Sequence, residues 1–147
     1  MRFRTSTLVS PEFLRKNIFP WHKKCADIAH KSKKPYLLHS CGKLDEIMED
    51  LIFDVKIDAK HSFEDAIMEV VEVFNLYSDE ITILGGIDVD FLCRSDEYSV
   101  RKRVRKTLEI CMQKKGGYYL GTGNSVANYI PLDNYLAMLD EGRKFTI

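Results

Sequence analysis

Tyr36-Leu37-Leu38-His39-Ser40-Cys41-Gly42 reads as a short apolar strand that ends in a histidine and a cysteine two residues apart and then turns on glycine into a helix. In α/β proteins the carboxyl ends of parallel strands are where ligands and catalytic groups gather. A His-x-Cys pair there sets an imidazole and a soft thiol on one preorganised edge, which suits zinc or a reactive nucleophile. Taken alone, the pair is also what a strand end with a buried thiol looks like. Its company argues for more, because three further strand-to-loop junctions carry polar residues of the same kind.

Working outward from this stretch gives a strand–helix rhythm. Ser10-Pro11-Glu12 opens a helix with a hydroxyl cap, a proline at the first position and an acid in the first turn. That helix runs toward Lys33 with a break expected at Pro20. A second helix is expected over Leu44 to Ile52, followed by a strand over Phe53 to Ile57 that exits into Asp58-Ala59-Lys60-His61. Ser62 with Asp65 reads as a capping-box variant opening a helix with Ile67, Val70, Val71 and Phe74 inward. The third strand, Ile81 to Leu84, leads into Gly85-Gly86-Ile87-Asp88. Ser95 is expected to cap a basic helix reaching Lys114, with Val100, Val104, Leu108 and Cys111 inward. Tyr118 to Leu120 is the fourth strand, exiting into Gly121-Thr122-Gly123-Asn124-Ser125, and Pro131 starts the last helix. Short apolar strands alternating with helices indicate an α/β protein with parallel βαβ units, either a small open sheet or part of a barrel.

The 147 residues suffice for one ordinary core, and no linker, repeat or low-complexity tract divides them, so residues 1–147 read as a single domain. Lys and Arg number 22 and Asp and Glu 22, so no net field recruits nucleic acid or an anionic membrane. Cys25, Cys41, Cys93 and Cys111 are widely spaced, and no apolar run is long enough to span a bilayer; free thiols in the cytoplasm are expected.

Ser10-Pro11-Glu12-Phe13, Phe19-Pro20-Trp21, His39-Ser40-Cys41-Gly42, Gly85-Gly86-Ile87-Asp88, Gly121-Thr122-Gly123-Asn124-Ser125 and Pro131-Leu132-Asp133-Asn134, in this order and spacing, resemble the uroporphyrinogen decarboxylase family. The resemblance covers nearly the whole chain. It implies the C-terminal half of a (β/α)8 TIM-type barrel, four parallel strands alternating with helices. The family includes tetrapyrrole decarboxylases and corrinoid methyltransferases. The methyltransferase branch carries His-x-Cys-Gly after this strand and, with a later cysteine, holds zinc that activates a thiol acceptor. Carried over, His39 and Cys41 match. The position expected for the third ligand falls near Asn124, and His61 is a candidate substitute because imidazole is a good zinc ligand.

The remaining candidates are Asp88, a candidate catalytic residue that orients His39 or contacts substrate, or else caps the next helix, and Lys60, a candidate for binding a substrate carboxylate. Asn124 is a candidate catalytic residue, and with Ser125 it sits on a loop whose glycines allow backbone amides to approach an anion. His22 and His30 read as surface residues, Cys93 and Cys111 as packing residues, and the run from Arg101 to Lys106 as a solvated helix face. Three functions follow. The first moves a methyl group between a corrinoid, supplied by a partner protein, and a small acceptor. The second decarboxylates a tetrapyrrole substrate without metal. The third is a non-catalytic half-domain completing a partner barrel. Half of a barrel exposes an inner face and two edges, so self-association or pairing with a missing N-terminal half is expected. The inner face is expected to draw on Tyr36, Leu38, Val55, Ile57, Ile81, Ile83 and Tyr119.

Overall fold

The computed structural model describes residues 7–113 and 116–145. The opening helical stretch is two helices, α1 (Pro11–Asn17) and α2 (Phe19–Lys31), divided at Ile18. Pro20 lies in the first turn of α2, where its missing N–H costs nothing, so it starts a helix rather than kinking one. The Ser10 side chain accepts the Phe13 N–H as the expected cap.

Among the described residues, four strands form one parallel sheet in chain order: β1 (Leu37–His39), β2 (Ala59–His61), β3 (Thr82–Leu84) and β4 (Tyr118–Tyr119). The order and direction agree with the sequence reading, but β2 does not lie where that reading put it. Phe53 to Ile57 is not a strand. A 3₁₀ turn (Asp45–Ile47) leads into a π-helix (Asp50–Val55) that ends at Lys56, in the left-handed region at φ 64°. Leu51, Ile52 and Val55 are buried against the core while Phe53, the strand reading's first residue, is 60% exposed. Packing against α2 thus selected the helical period over the alternating one. Lys60 and His61 thereby become strand residues rather than loop residues.

Two helix starts also move. Ser62 is not a cap: it sits at φ 87° with a buried hydroxyl that meets no protein partner, and α3 (Val70–Tyr77) begins eight residues later. Ile67 lies in the turn before α3 and not on it. Asp88 caps the short helix α4 (Val89–Arg94), one of the two readings given it, and Asp96, not Ser95, caps α5 (Glu97–Cys111). The expected end of α5 at Lys114 lies outside the described residues. Pro131 stands just before α6 (Leu132–Lys144). No helix of the described residues is long and apolar enough to cross a membrane.

The helices cover one face of the sheet. Leu38, Lys60 and Ile83 form a row on that face, buried beneath α3 and the segment around Ile47 and Leu51. A second cluster joins α4, α5 and α6 through Leu92, Val100, Val104, Leu108 and Met138. The basic face of α5 is not simply solvated. Arg101 Nη1 lies 2.6 Å from Asp140, and Arg105 Nε lies 2.8 Å from the buried Glu141 of α6.

The opposite, concave face carries Leu37, Ala59, His61, Thr82, Leu84 and Tyr119, which line an open cleft of about 700 Å³. Leu37 is 55% and Tyr119 69% exposed. Of the residues expected there, only Tyr119 is present. Leu38, Val55, Ile57, Ile81 and Ile83 are buried in the core, and Tyr36 packs partly against it.

Candidate functional site

Parallel register sets the two histidines side by side. His39 pairs with His61 across β1 and β2, so both side chains leave the sheet on its concave face at the carboxyl rim. Their ring centroids are 4.8 Å apart, with Nδ1 of each 2.8 Å from Nδ1 of the other. His61 Nε2 reaches over β3 to the Thr122 carbonyl oxygen at 3.0 Å. His39 Nε2 faces Cys41 Sγ at 3.5 Å. Asn124 donates from Nδ2 to the same sulfur at 3.5 Å. Its amide orientation is set independently, because Oδ1 accepts the Ser125 N–H at 2.8 Å. A continuous polar chain therefore runs Thr122–His61–His39–Cys41–Asn124.

The loop after β4 is laced into place by backbone bonds. The Ile87 N–H donates to the Gly121 carbonyl at 3.0 Å, and the Phe63 N–H to that of Gly123 at 2.9 Å. A Cβ on Gly123 would stand 2.2 Å from the Phe63 carbonyl oxygen, so only glycine allows this closeness. Thr122 Oγ1 adds a bond to the Asn124 carbonyl at 2.5 Å. These contacts fix where Asn124 meets the sulfur.

His39, Cys41, His61 and Asn124, chosen from sequence, are thus brought together. Ser125 is beside them through its backbone N–H. Asp88 lies near Asn124 in a neighbouring depression, but both carboxylate oxygens are engaged, accepting N–H groups of Phe91 at 3.0 Å and Asp65 at 2.9 Å. That is the geometry of a cap joining two loops. His22 bonds the Tyr36 hydroxyl at 2.7 Å, and His30 bonds Asp58 at 2.7 Å; both brace β1 and β2 away from the rim. Thr122 and Gly85, which hold and clear the way for His61, were not singled out as separate site residues. Their signal is only that both belong to glycine-containing loops.

Lys60 lies on the other face of β2 from His61. Its ammonium donates to the Ser62 carbonyl at 2.9 Å, sits 4.1 Å from the centre of the Phe63 ring, and borders a cavity of about 40 Å³. Burial holds its pKa down to about 8 from the ordinary 10.5, the charge that Cys41 can carry acting in the other direction. Between those two values the unfolded chain keeps a proton that the folded chain has released, so this group makes stability rise with pH across that window. At pH 7 both states carry the proton, and burying the charge costs roughly 3 kcal/mol. Lys60→Met is therefore expected to be more stable than wild type at pH 7 by about 2 kcal/mol, after about 1 kcal/mol for the lost hydrogen bond. Urea unfolding at pH 7 and pH 10 checks this. The difference between the two proteins should shrink as pH rises, and a difference unchanged by pH would refute the assignment.

This parallel four-stranded sheet, polar at one rim and helix-covered on one face, is the architecture of part of a (β/α)8 barrel. The chain belongs to the uroporphyrinogen decarboxylase (URO-D) family, whose model matches residues 4–145. Among solved structures, it is similar to a methyltransferase from Methanosarcina mazei, with a TM-score of 0.68 and 18% identity over 93% of this chain. The match covers 38% of that methyltransferase chain, so the present sequence spans well under half of its length. No curated protein matches the chain.

Proposed function

We propose that the chain is a methyltransferase-like member of the family, in which His39 and Cys41 hold zinc and a methyl group passes from a corrinoid on a partner protein to a small thiol. The observation that carries this reading is the 3.5 Å separation of His39 Nε2 and Cys41 Sγ at the strand end. Zinc about 2.3 Å from a thiolate and about 2.0–2.1 Å from an imidazole, at a tetrahedral angle, requires those two atoms about 3.5 Å apart. The donor types also fit, and the Asn124 amide supports negative charge on the sulfur. Asn124 stands where a third thiolate is implied by the resemblance, and both ring nitrogens of His61 are engaged. The chain would thus supply two ligands and leave positions open to the acceptor thiol and water. Bound zinc supplies Lewis acidity that keeps a coordinated thiol deprotonated at neutral pH.

In the transfer, the acceptor sulfur would take the methyl group as the bond to the corrinoid breaks, the electron pair of that bond would leave with the corrinoid, and the thiol proton would go to solvent. The concave cleft beside the rim, lined by Leu37, Leu84 and Tyr119, provides an apolar approach for the methyl donor. The remainder of a barrel, in another part of a longer chain or in a second polypeptide, would cover that face.

The reading is tested with methylcobalamin and 2-mercaptoethanol, following the absorbance change as methyl-Co(III) becomes Co(I). Zinc-supplemented wild type should demethylate it well above background, and His39→Ala should not. A wild-type rate equal to background with the rest of the barrel present, in the longer chain or as the second polypeptide, would overturn methyl transfer and leave the metal-free tetrapyrrole lyase as the enzymatic alternative.

A further inference from the structure

We infer that His61 is a positioning residue that locks His39 in one neutral tautomer, with the proton on Nδ1 and the lone pair of Nε2 turned toward Cys41. The direction of the chain follows from its anchor. A backbone carbonyl only accepts, so the His61 Nε2 facing Thr122 O at 3.0 Å carries a proton. A neutral imidazole has one N–H, so His61 Nδ1 is then an acceptor. Its partner at 2.8 Å, His39 Nδ1, must donate to it. His39 Nε2 is left as the acceptor, facing the sulfur at 3.5 Å.

A second, independent observation shows that the path to the anchor is built. To reach Thr122 after β4, the His61 ring must pass over the end of β3, where Gly85 stands at φ 79°. A Cβ there would lie 2.3 Å from the Thr122 carbonyl oxygen and 2.8 Å from His61 Nε2. Even alanine would occupy the space the hydrogen bond needs. Gly85 is held in place from both sides, its N–H donating to the Tyr119 carbonyl at 2.8 Å and its own carbonyl accepting the Tyr118 hydroxyl at 2.9 Å.

This gives His61 a role other than that of a ligand. A metal-bound histidine is oriented by the acceptor of its other ring N–H, and loss of such a partner typically costs 10- to 100-fold in metal affinity. The consequence for affinity rests on the zinc reading above; the tautomer does not.

Two measurements on the whole chain separate the two statements. Nitrogen-15 NMR of the imidazole rings at pH 8, in metal-free protein, should show His39 as the Nδ1–H tautomer. His61→Phe, which keeps an aromatic ring but no acceptor, should move His39 toward the Nε2–H form. His61→Gln, whose amide can both accept from His39 and donate to Thr122, should retain the wild-type tautomer and guards against a merely structural effect. Zinc affinity, by competition with a chromophoric chelator, should fall 10- to 100-fold in His61→Phe and stay near wild type in His61→Gln. An Nε2–H tautomer in wild type, or one unmoved by His61→Phe, would overturn the inference. Wild type that takes up no zinc would defeat the zinc reading, while the ring NMR would still decide the tautomer.

Discussion

Phe74→Ala is expected to lower the free energy of unfolding by about 3–5 kcal/mol. Phe74 is 0% exposed at the centre of the larger core cluster, on the inner face of α3. Its ring meets Tyr118 edge-on, at 6.1 Å between centroids and 87° between planes. Truncation removes the ring's burial, leaves a cavity in the larger core cluster, and loses that aromatic pair. Against a typical net stability of about 5–15 kcal/mol, the loss is a large fraction. Urea unfolding should show a lower midpoint at similar slope, and a change below about 1 kcal/mol would contradict the helix-on-sheet packing described. The effect should reach the rim as well. Tyr118 is the residue whose hydroxyl holds the Gly85 carbonyl, so loosening its ring loosens the anchor of the His61 bracket.

The parts of this architecture legible in the sequence are those set by local chemistry. Glycine turns after apolar strands marked β1, β3 and β4, and Ser10 with Pro11 marked α1, because caps and turns are properties of a few adjacent residues. The error at β2 arose where two periods coincide. Phe53, Val55 and Ile57 alternate, while Leu51, Ile52 and Val55 share a helix face, and only the packing of α2 settles which stripe is buried. Which side of each strand faces the helices was equally hidden. Strands of two or three residues with apolar groups on both sides carry no parity signal, so nothing local shows that Leu38 and Ile83 face the helices.

The site shows the same division. His39 and Cys41 could be found because they share a strand end. Their meeting with His61 depends on register, and the contact with Asn124 spans 83 positions. Asp88 had two readings, and the N–H groups of Phe91 and Asp65 that it accepts give it the capping one. From sequence the arginines of α5 look solvated, because their partners Asp140 and Glu141 lie nearly 40 positions away, on a helix whose contact with α5 no local pattern announces.

Cys41→Ser is expected to abolish zinc retention at the rim. Serine keeps the shape and a hydrogen-bonding oxygen, so the Asn124 contact and the fold should persist. An alcohol of high pKa, however, does not replace a thiolate as a ligand at neutral pH. With only two ligands supplied by the chain, losing one leaves His39 alone, which cannot hold the ion against a competing buffer. The central claim is that this strand end is a thiolate–imidazole zinc centre, and metal analysis of protein purified without chelator tests it most directly. Wild type should carry close to one equivalent of zinc and Cys41→Ser essentially none, with both proteins unfolding cooperatively. Wild type without zinc, or Cys41→Ser retaining its full complement, would contradict it.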